Sequence, residues 1–303
     1  MVYVETEIRD GNEYHRLVYT IREDNKVVHK RKYIGTSLPS KEKLKKIKDG
    51  FLEAVKEGKS RYLSVKDIKA VEVKKKNYNQ DISKLSVLEK EKQLKEFMIR
   101  FTYDSSKLSG VDITLRQTFL ILKEGVAPAN VKSLKTIKAV ENHQKGVVAI
   151  TQYKGTFNLR FIKKLHSILL SGIDDFIAGK TRDELKKNVK LAGTPYVPPP
   201  WQEVKKELEN FFKWYKFESR KLHPLELAAL IHLKIISMQV FVDGNSRLSR
   251  LLMNWILWKK GYPPIDIPIE ELENYYKNLD LYQIEKKEKP FVEYILKRYL
   301  KSK

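Results

Sequence analysis

The hydrophobic pattern divides this chain into a short β-patterned part and a long helical one. Val2–Ile8, Tyr14–Ile21 and Val27–Ile34 are runs rich in β-branched and aromatic residues, punctuated by Asp10-Gly11-Asn12 and Glu23-Asp24-Asn25. Runs of this kind between turn formers predict a three-stranded meander. Ser40 then opens a lysine-rich stretch through Ala54 that predicts a basic helix. Lys74–Gln80 reads as a polar bridge, after which Leu85, Leu88, Leu94, Phe97, Met98 and Phe101 mark the apolar stripe of a helix. Two later segments differ in kind. Leu225–Met238 is interrupted mainly by His232, Lys234 and Ser237, and 248–258 likewise leaves no broad polar face. Helices apolar on all sides occupy the centre of a domain. Helices at about 269–280 and 290–302 would close the C-terminal end, with Tyr275, Tyr276, Tyr282, Phe291 and Tyr294 as core rather than a stacking platform. The expected fold is mainly α: residues 1–80 form a small β-meander plus basic helix, and residues 84–303 a helical domain.

Composition narrows the setting. Sixty Lys+Arg against 38 Asp+Glu leave a net charge of +22, enough to attract nucleic acid or other polyanions without specificity. There is no cysteine, which excludes disulfides and cysteine-ligated metal. No apolar run reaches the roughly 18 residues of a membrane span. Charge follows Met1-Val2-Tyr3-Val4 at once, unlike a signal peptide. A soluble, cytoplasmic protein is expected.

The chemistry concentrates in the loop between the two apolar segments, Phe241-Val242-Asp243-Gly244-Asn245-Ser246-Arg247-Leu248-Ser249-Arg250. Arg247 and Arg250 fall three apart in the first turn of the second helix, where cations are disfavoured by a few tenths to about 1 kcal/mol. Two arginines there make sense around an anion, which the free backbone N–H groups would also bind. Gly244 allows close backbone approach, and Asp243 offers a hard oxygen for Mg²⁺ accompanying phosphates. The bland alternative is a capping loop whose arginines pair with carboxylates.

This loop resembles the signature of the Fic (Fic/Doc, Fido-fold) family, His-x-Phe-x-Asp/Glu-Gly-Asn-Gly/Lys-Arg-x-x-Arg. The likeness extends to Leu222-His223-Pro224-Leu225 with Ala228-Ala229 and His232, Tyr196-Val197-Pro198-Pro199-Pro200, Leu165-His166-Ser167-Ile168-Leu169-Leu170 and Gly261-Tyr262-Pro263-Pro264, and so covers about residues 95–268. It implies a Fic-fold helical bundle with a β-hairpin flap, here about Thr181 to Pro195, that aligns a protein substrate. The implied activity is transfer of AMP from ATP to a protein hydroxyl. By position, Asp243 would bind Mg²⁺; Gly244, Asn245 and Ser246 would cradle the α- and β-phosphates; Arg247 and Arg250 would hold the outer ones.

Two positions depart from the family pattern. Gln239 stands where the family has its catalytic His, and an amide cannot act as a base near neutral pH. General-base assistance is worth typically 10²–10⁴-fold, so transferase activity is expected to be weak or lost, with Mg-ATP binding retained. His232, about two helical turns and roughly 10 Å back, is no evident substitute. Ser109 stands where an inhibitory segment carries a Glu that pairs with the second motif arginine, so no salt bridge to Arg250 is expected. The alternative function is a nucleic-acid-associated or peptide-binding module that uses the scaffold without catalysis.

Overall fold

A computed structural model describes residues 2–23, 26–57, 60–131 and 133–302. Strands β1 (Val2–Arg9), β2 (Asn12–Glu23) and β3 (Lys26–Gly35) form one antiparallel sheet in chain order. Asp10 and Gly11 both have positive φ, +49° and +77°, between the paired Arg9 and Asn12. That is the two-residue turn whose twist matches a hairpin. Asp24 and Asn25, from the second expected turn, lie outside the described residues. The register sets Val4, Leu17 and Lys32 on one face of the sheet and Tyr3, Val18 and Arg31 on the other. Helix α1 (Lys41–Glu57) packs on β2 and buries Phe51.

The rest is helical: α2 (Val65–Lys84), α3 (Val87–Lys107), α4 (Leu115–Phe119), α5 (Leu134–Gln152), α6 (Leu159–Leu170), α7 (Arg182–Leu185), α8 (Trp201–Glu218), α9 (Pro224–Met238), α10 (Asn245–Lys259), α11 (Leu272–Glu285) and α12 (Lys289–Lys301). The two segments apolar on all sides are α9 and α10, which pack on each other at the centre. α3, α5 and α6 lie against α10; α8, α11 and α12 lie against α9. Pro224 occupies the first turn of α9, where its missing N–H costs nothing, and His223 caps it by accepting from the Leu225 N–H at 3.2 Å. The Asn254 side chain bonds Ile265 through both its oxygen and its nitrogen, folding the 260–268 segment back on α10.

Four expectations change. Lys74–Gln80 is not a bridge but the middle of α2, which a Ser64–Asp67 capping box starts and whose Ile68 and Val71 are buried. Its apolar face is too sparse to stand out among exposed lysines. Leu85 is the cap after α2, and Leu88 is 76% exposed, so the buried stripe of α3 begins later, with Met98 and Phe101 fully inside. The segment expected as a β-hairpin flap holds the single helical turn α7 and irregular chain, without strand pairing among its residues. Of the C-terminal aromatics, Tyr275, Phe291 and Tyr294 are core, whereas Tyr276 is 41% exposed and donates to Leu108 O.

Packing also ties residues 60–84 to the helical body. Glu226 in α9 accepts from Ser60 Oγ and the Arg61 and Tyr62 N–H groups at 2.8–3.2 Å, and Leu63, Ile68 and Val71 join the main core. We therefore place the end of the small module before Ser60.

Candidate functional site

The loop between α9 and α10 is held from three sides. Gln239 ends α9 in the left-handed conformation (φ +46°), which reverses the chain toward the loop. Its Nε2 donates to Ile236 O at 2.7 Å and its Oε1 accepts from Asn245 Nδ2 at 2.9 Å. Asn245 Nδ2 also donates to Phe241 O, while its Oδ1 accepts the Phe241 N–H at 3.0 Å. The Asn245 side chain, expected at the phosphates, is thus turned inward as the staple of the loop, and Gln239 is 7% exposed.

His166 of α6 is the second support, and no reasoning from spacing gave it a role. Its Nε2–H donates to Asp243 O at 2.9 Å and its Nδ1 accepts the Gly179 N–H at 2.9 Å, while its ring stacks on Phe241 at 3.7 Å and 7°. Burial lowers its pKa to about 4, so the imidazole is neutral and this tautomer fits both bonds. Gly244, at φ +78°, lies beneath it: a Cβ there would sit 2.9 Å from Leu170 Cδ2 and 3.4 Å from the His166 ring.

The third support is Arg182, fully buried and also missed. Its guanidinium donates to Gln239 O, to Met238 O at 3.1 Å and to Pro199 O at 2.8 Å, and its backbone N–H donates to Val240 O. A cation on the last carbonyls of α9 is the favourable end of that helix's dipole. Tyr196 adds a bond from its hydroxyl to Ser237 O at 3.0 Å. The flap-equivalent segment is therefore anchored at both ends to the residues around 239. A cavity of about 420 Å³, lined by Tyr196, Trp214, Lys234, Ser237, Tyr282 and Lys286 among others, lies behind this anchor and away from the motif arginines.

Both motif arginines are buried. Arg247 Nη2 meets Asp243 Oδ2 at 3.5 Å, its Nε has no acceptor, and burial lowers its pKa. Asp243 itself remains 65% exposed. Arg250 is fully buried and donates to Ser105 Oγ (2.9 Å), Ser105 O (2.7 Å), Ser246 Oγ (2.6 Å), Ser109 Oγ (2.7 Å) and Tyr275 Oη (3.4 Å). Every acceptor is neutral. Ser109 does therefore reach Arg250, and the expected absence of a salt bridge reflects lost charge rather than lost contact. His232 sits in the core, with Tyr275 Oη 3.1 Å from its Nε2 and the Phe291 ring stacked on it. Burial drives its pKa well below the usual value. It is not placed to replace a base.

The Fic/DOC family profile matches residues 156–257. The protein adenylyltransferase Fic of Drosophila melanogaster is 33% identical over 204 residues, 66% of this chain and 40% of that protein. The same holds for its Drosophila sechellia counterpart. The chain thus spans about two-fifths of the length of these relatives. Among solved structures, a Fic-domain-containing signalling protein from Bacteroides thetaiotaomicron superposes with a TM-score of 0.68 at 28% identity, covering 77% of this chain and 92% of that one. Fic-1 from C. elegans gives 0.66 at 22% identity over 86% of this chain and 75% of that one, a likeness of fold.

Proposed function

Because the chain belongs to the Fic/DOC family, we propose that it is a Mg-ATP-binding relative of the protein adenylyltransferases in which AMP transfer is weak or lost. Arg250 and Gln239 carry this reading. Arg250 has neutral acceptors around its guanidinium but no carboxylate hydrogen-bonded to it, beside an Arg247 with an unused buried donor. Two desolvated guanidinium groups at a helix N-terminus favour an anion, and the backbone N–H groups there point the same way. The hydrogen bonds of Arg250 are met; its charge is not.

The exposed Asp243 carboxylate fits a Mg²⁺ shared with phosphate oxygens and water, the usual setting of this ion where few carboxylates are supplied. Bound there, the ion would neutralise phosphate charge. Among the described residues no cluster of three or more His, Cys, Asp or Glu is poised for a metal, so Asp243 enters as a single carboxylate. The backbone at Gly244 and Ser246 would meet the inner phosphates, and Arg247 and Arg250 the outer ones, with Ser109 Oγ displaced.

Transfer also requires that the attacking hydroxyl lose its proton. Gln239 offers no basic site, and both ends of its amide are engaged inside the protein. Positioning and charge neutralisation leave a residue of activity, since phosphoryl transfer leans on them. A protein partner would dock against segment 181–195, where Lys186, Lys187 and Lys190 are exposed. Calorimetric titration with Mg-ATP tests the reading: the wild type should give saturable heat, and Arg250→Ala should weaken binding at least about tenfold, ~1.4 kcal/mol. No heat from either protein at millimolar nucleotide would exclude nucleotide binding.

A further inference from the structure

We propose that the face of the N-terminal sheet that carries Tyr3, Tyr14 and Tyr33 is a binding site in its own right and takes single-stranded nucleic acid. The register brings together on that face Tyr3, Glu5 and Glu7 of β1, Tyr14, Arg16, Val18 and Thr20 of β2, and His29, Arg31 and Tyr33 of β3. Tyr3 is 42% and Tyr33 53% exposed, and Tyr14 pairs with Tyr33 at a ring separation of 6.2 Å. The opposite face holds the buried His15 and Leu17, and α1 packs against β2. Val18, in register with Tyr3 and Arg31, is the buried floor of the aromatic face.

Three features select the ligand. Tyrosine rings spread over a sheet offer π-faces on which unpaired bases stack whatever their sequence. Bases in a duplex are already covered, so the tyrosines favour single strands. Arg16 and Arg31 lie between the rings and match a phosphodiester backbone, while the exposed Lys30 and Lys32 of the edge strand β3 belong to the other face. The whole chain, at +22, draws such a polyanion toward it.

The arginines are not idle: Arg16 pairs with Glu7 at 3.0 Å and Arg31 with Glu5 at 3.2 Å. Exposed pairs of this kind contribute little, so phosphates can replace the carboxylates cheaply. The pairs hold the guanidinium groups on the face in the meantime. This site is independent of the nucleotide-binding reading of the motif loop.

Fluorescence anisotropy with a labelled oligothymidylate, an oligouridylate and a duplex of matched length tests the proposal on the full chain. Single strands should bind more tightly than the duplex. Tyr3→Ala and Tyr33→Ala should each weaken binding about 5-fold or more, whereas Tyr3→Phe and Tyr33→Phe, which keep the ring, should not. Arg31→Ala should flatten the slope of log K against log salt by about 0.7. Glu5→Gln with Glu7→Gln should tighten binding by freeing both arginines. Equal affinity for duplex and single strand, indifference to the Tyr→Ala changes, or no binding at all would each overturn it; the first two would leave only the attraction of net charge.

Discussion

Gln239→His tests whether the missing base is the one chemical defect of the motif loop. One ring nitrogen of an imidazole can keep the donor bond to Ile236 O, now 2.7 Å from Gln239 Nε2, and leave the other with a free lone pair. The bond from Asn245 Nδ2 would be lost, but that nitrogen still donates to Phe241 O at 2.8 Å. The structural cost is then about one neutral hydrogen bond, ~0.5–1.5 kcal/mol. The φ of +46° at this position is a conformation that His enters more readily than most residues. Against this, a restored general base is worth about 10²–10⁴-fold, or ~2.7–5.5 kcal/mol of barrier. Ser109 governs whether a second substitution is needed. It holds Arg250 at 2.7 Å as a neutral hydroxyl, so its displacement costs about 1.5–3 kcal/mol and a phosphate oxygen restores the bond. The single variant should therefore label itself. Tyr196 is a poor acceptor, since its hydroxyl is engaged with Ser237 O and burial raises its pKa. Intact-mass spectrometry with Mg-ATP should show the gain of one AMP in Gln239→His and none in Gln239→His/Arg250→Ala. An unmodified single variant that still binds Mg-ATP would refute the idea that only the base is missing.

Other expectations follow from the same geometry. Ser109→Glu should place a carboxylate on Arg250 and weaken Mg-ATP binding at least about tenfold, ~1.4 kcal/mol by calorimetry; unchanged affinity would mean that Arg250 does not meet the nucleotide. Arg182→Met should strip the charge from the α9 C-terminus and cost about 3–5 kcal/mol in urea unfolding, with Arg182→Lys a partial rescue because an ammonium lacks the guanidinium fork; a loss under about 1 kcal/mol would show the clamp to be incidental. Burial holds His143, His166 and His232 neutral, with the pKa of His166 about 4 and the others well below the usual value. These depressed values mean that the unfolded chain takes up protons below about pH 6.5 while the folded one does not, so stability falls as pH drops from 6.5 toward 4. With all three titrating, the slope approaches about 4 kcal/mol per pH unit, three times ~1.36. A flat stability between pH 7 and 5 would contradict neutral burial.

What was legible in the sequence was whatever has a period or a motif. α9 and α10 stood out because nearly every position is apolar, and the loop between them because its charges interrupt that run. Lys74–Gln80 was misread because a helix held to the body by Ile68 and Val71 leaves most of its surface to lysines. Local pattern weighs those lysines as heavily as the buried pair. The supports of the loop were hidden for another reason. His166, Arg182 and Ser105 reach it from 77, 57 and 145 positions away along the chain. Only folding brings them together, and no local spacing announces a side chain whose partners are backbone carbonyls. The N-terminal sheet shows the same limit: its alternation was readable, but that three tyrosines share a face depends on the strand register, which sets Tyr3 opposite Val18, Glu7 opposite Tyr14 and Arg16 opposite Tyr33.

The two departures from the family pattern have one physical character. At 109 stands a hydroxyl that bonds Arg250, and at 239 an amide that bonds Ile236 O and Asn245. Each makes hydrogen bonds without an ionisable group. A loop decaying without constraint would leave buried donors unmet, at about 1–3 kcal/mol each. Here the five N–H donors of a guanidinium find five contacts at Arg250, and the one orphaned motif donor is Arg247 Nε. That orphan lies beside Asp243, at the opening where a ligand would enter. Buried polar atoms without a partner also occur in the core, at His143 Nε2, His232 Nδ1 and Trp255 Nε1, but in the motif loop the orphan is on a guanidinium, the group that would meet a phosphate in the nucleotide-binding reading we propose. A satisfied Arg250 beside an unmet Arg247 donor is the arrangement that the proposed binding without proton chemistry calls for.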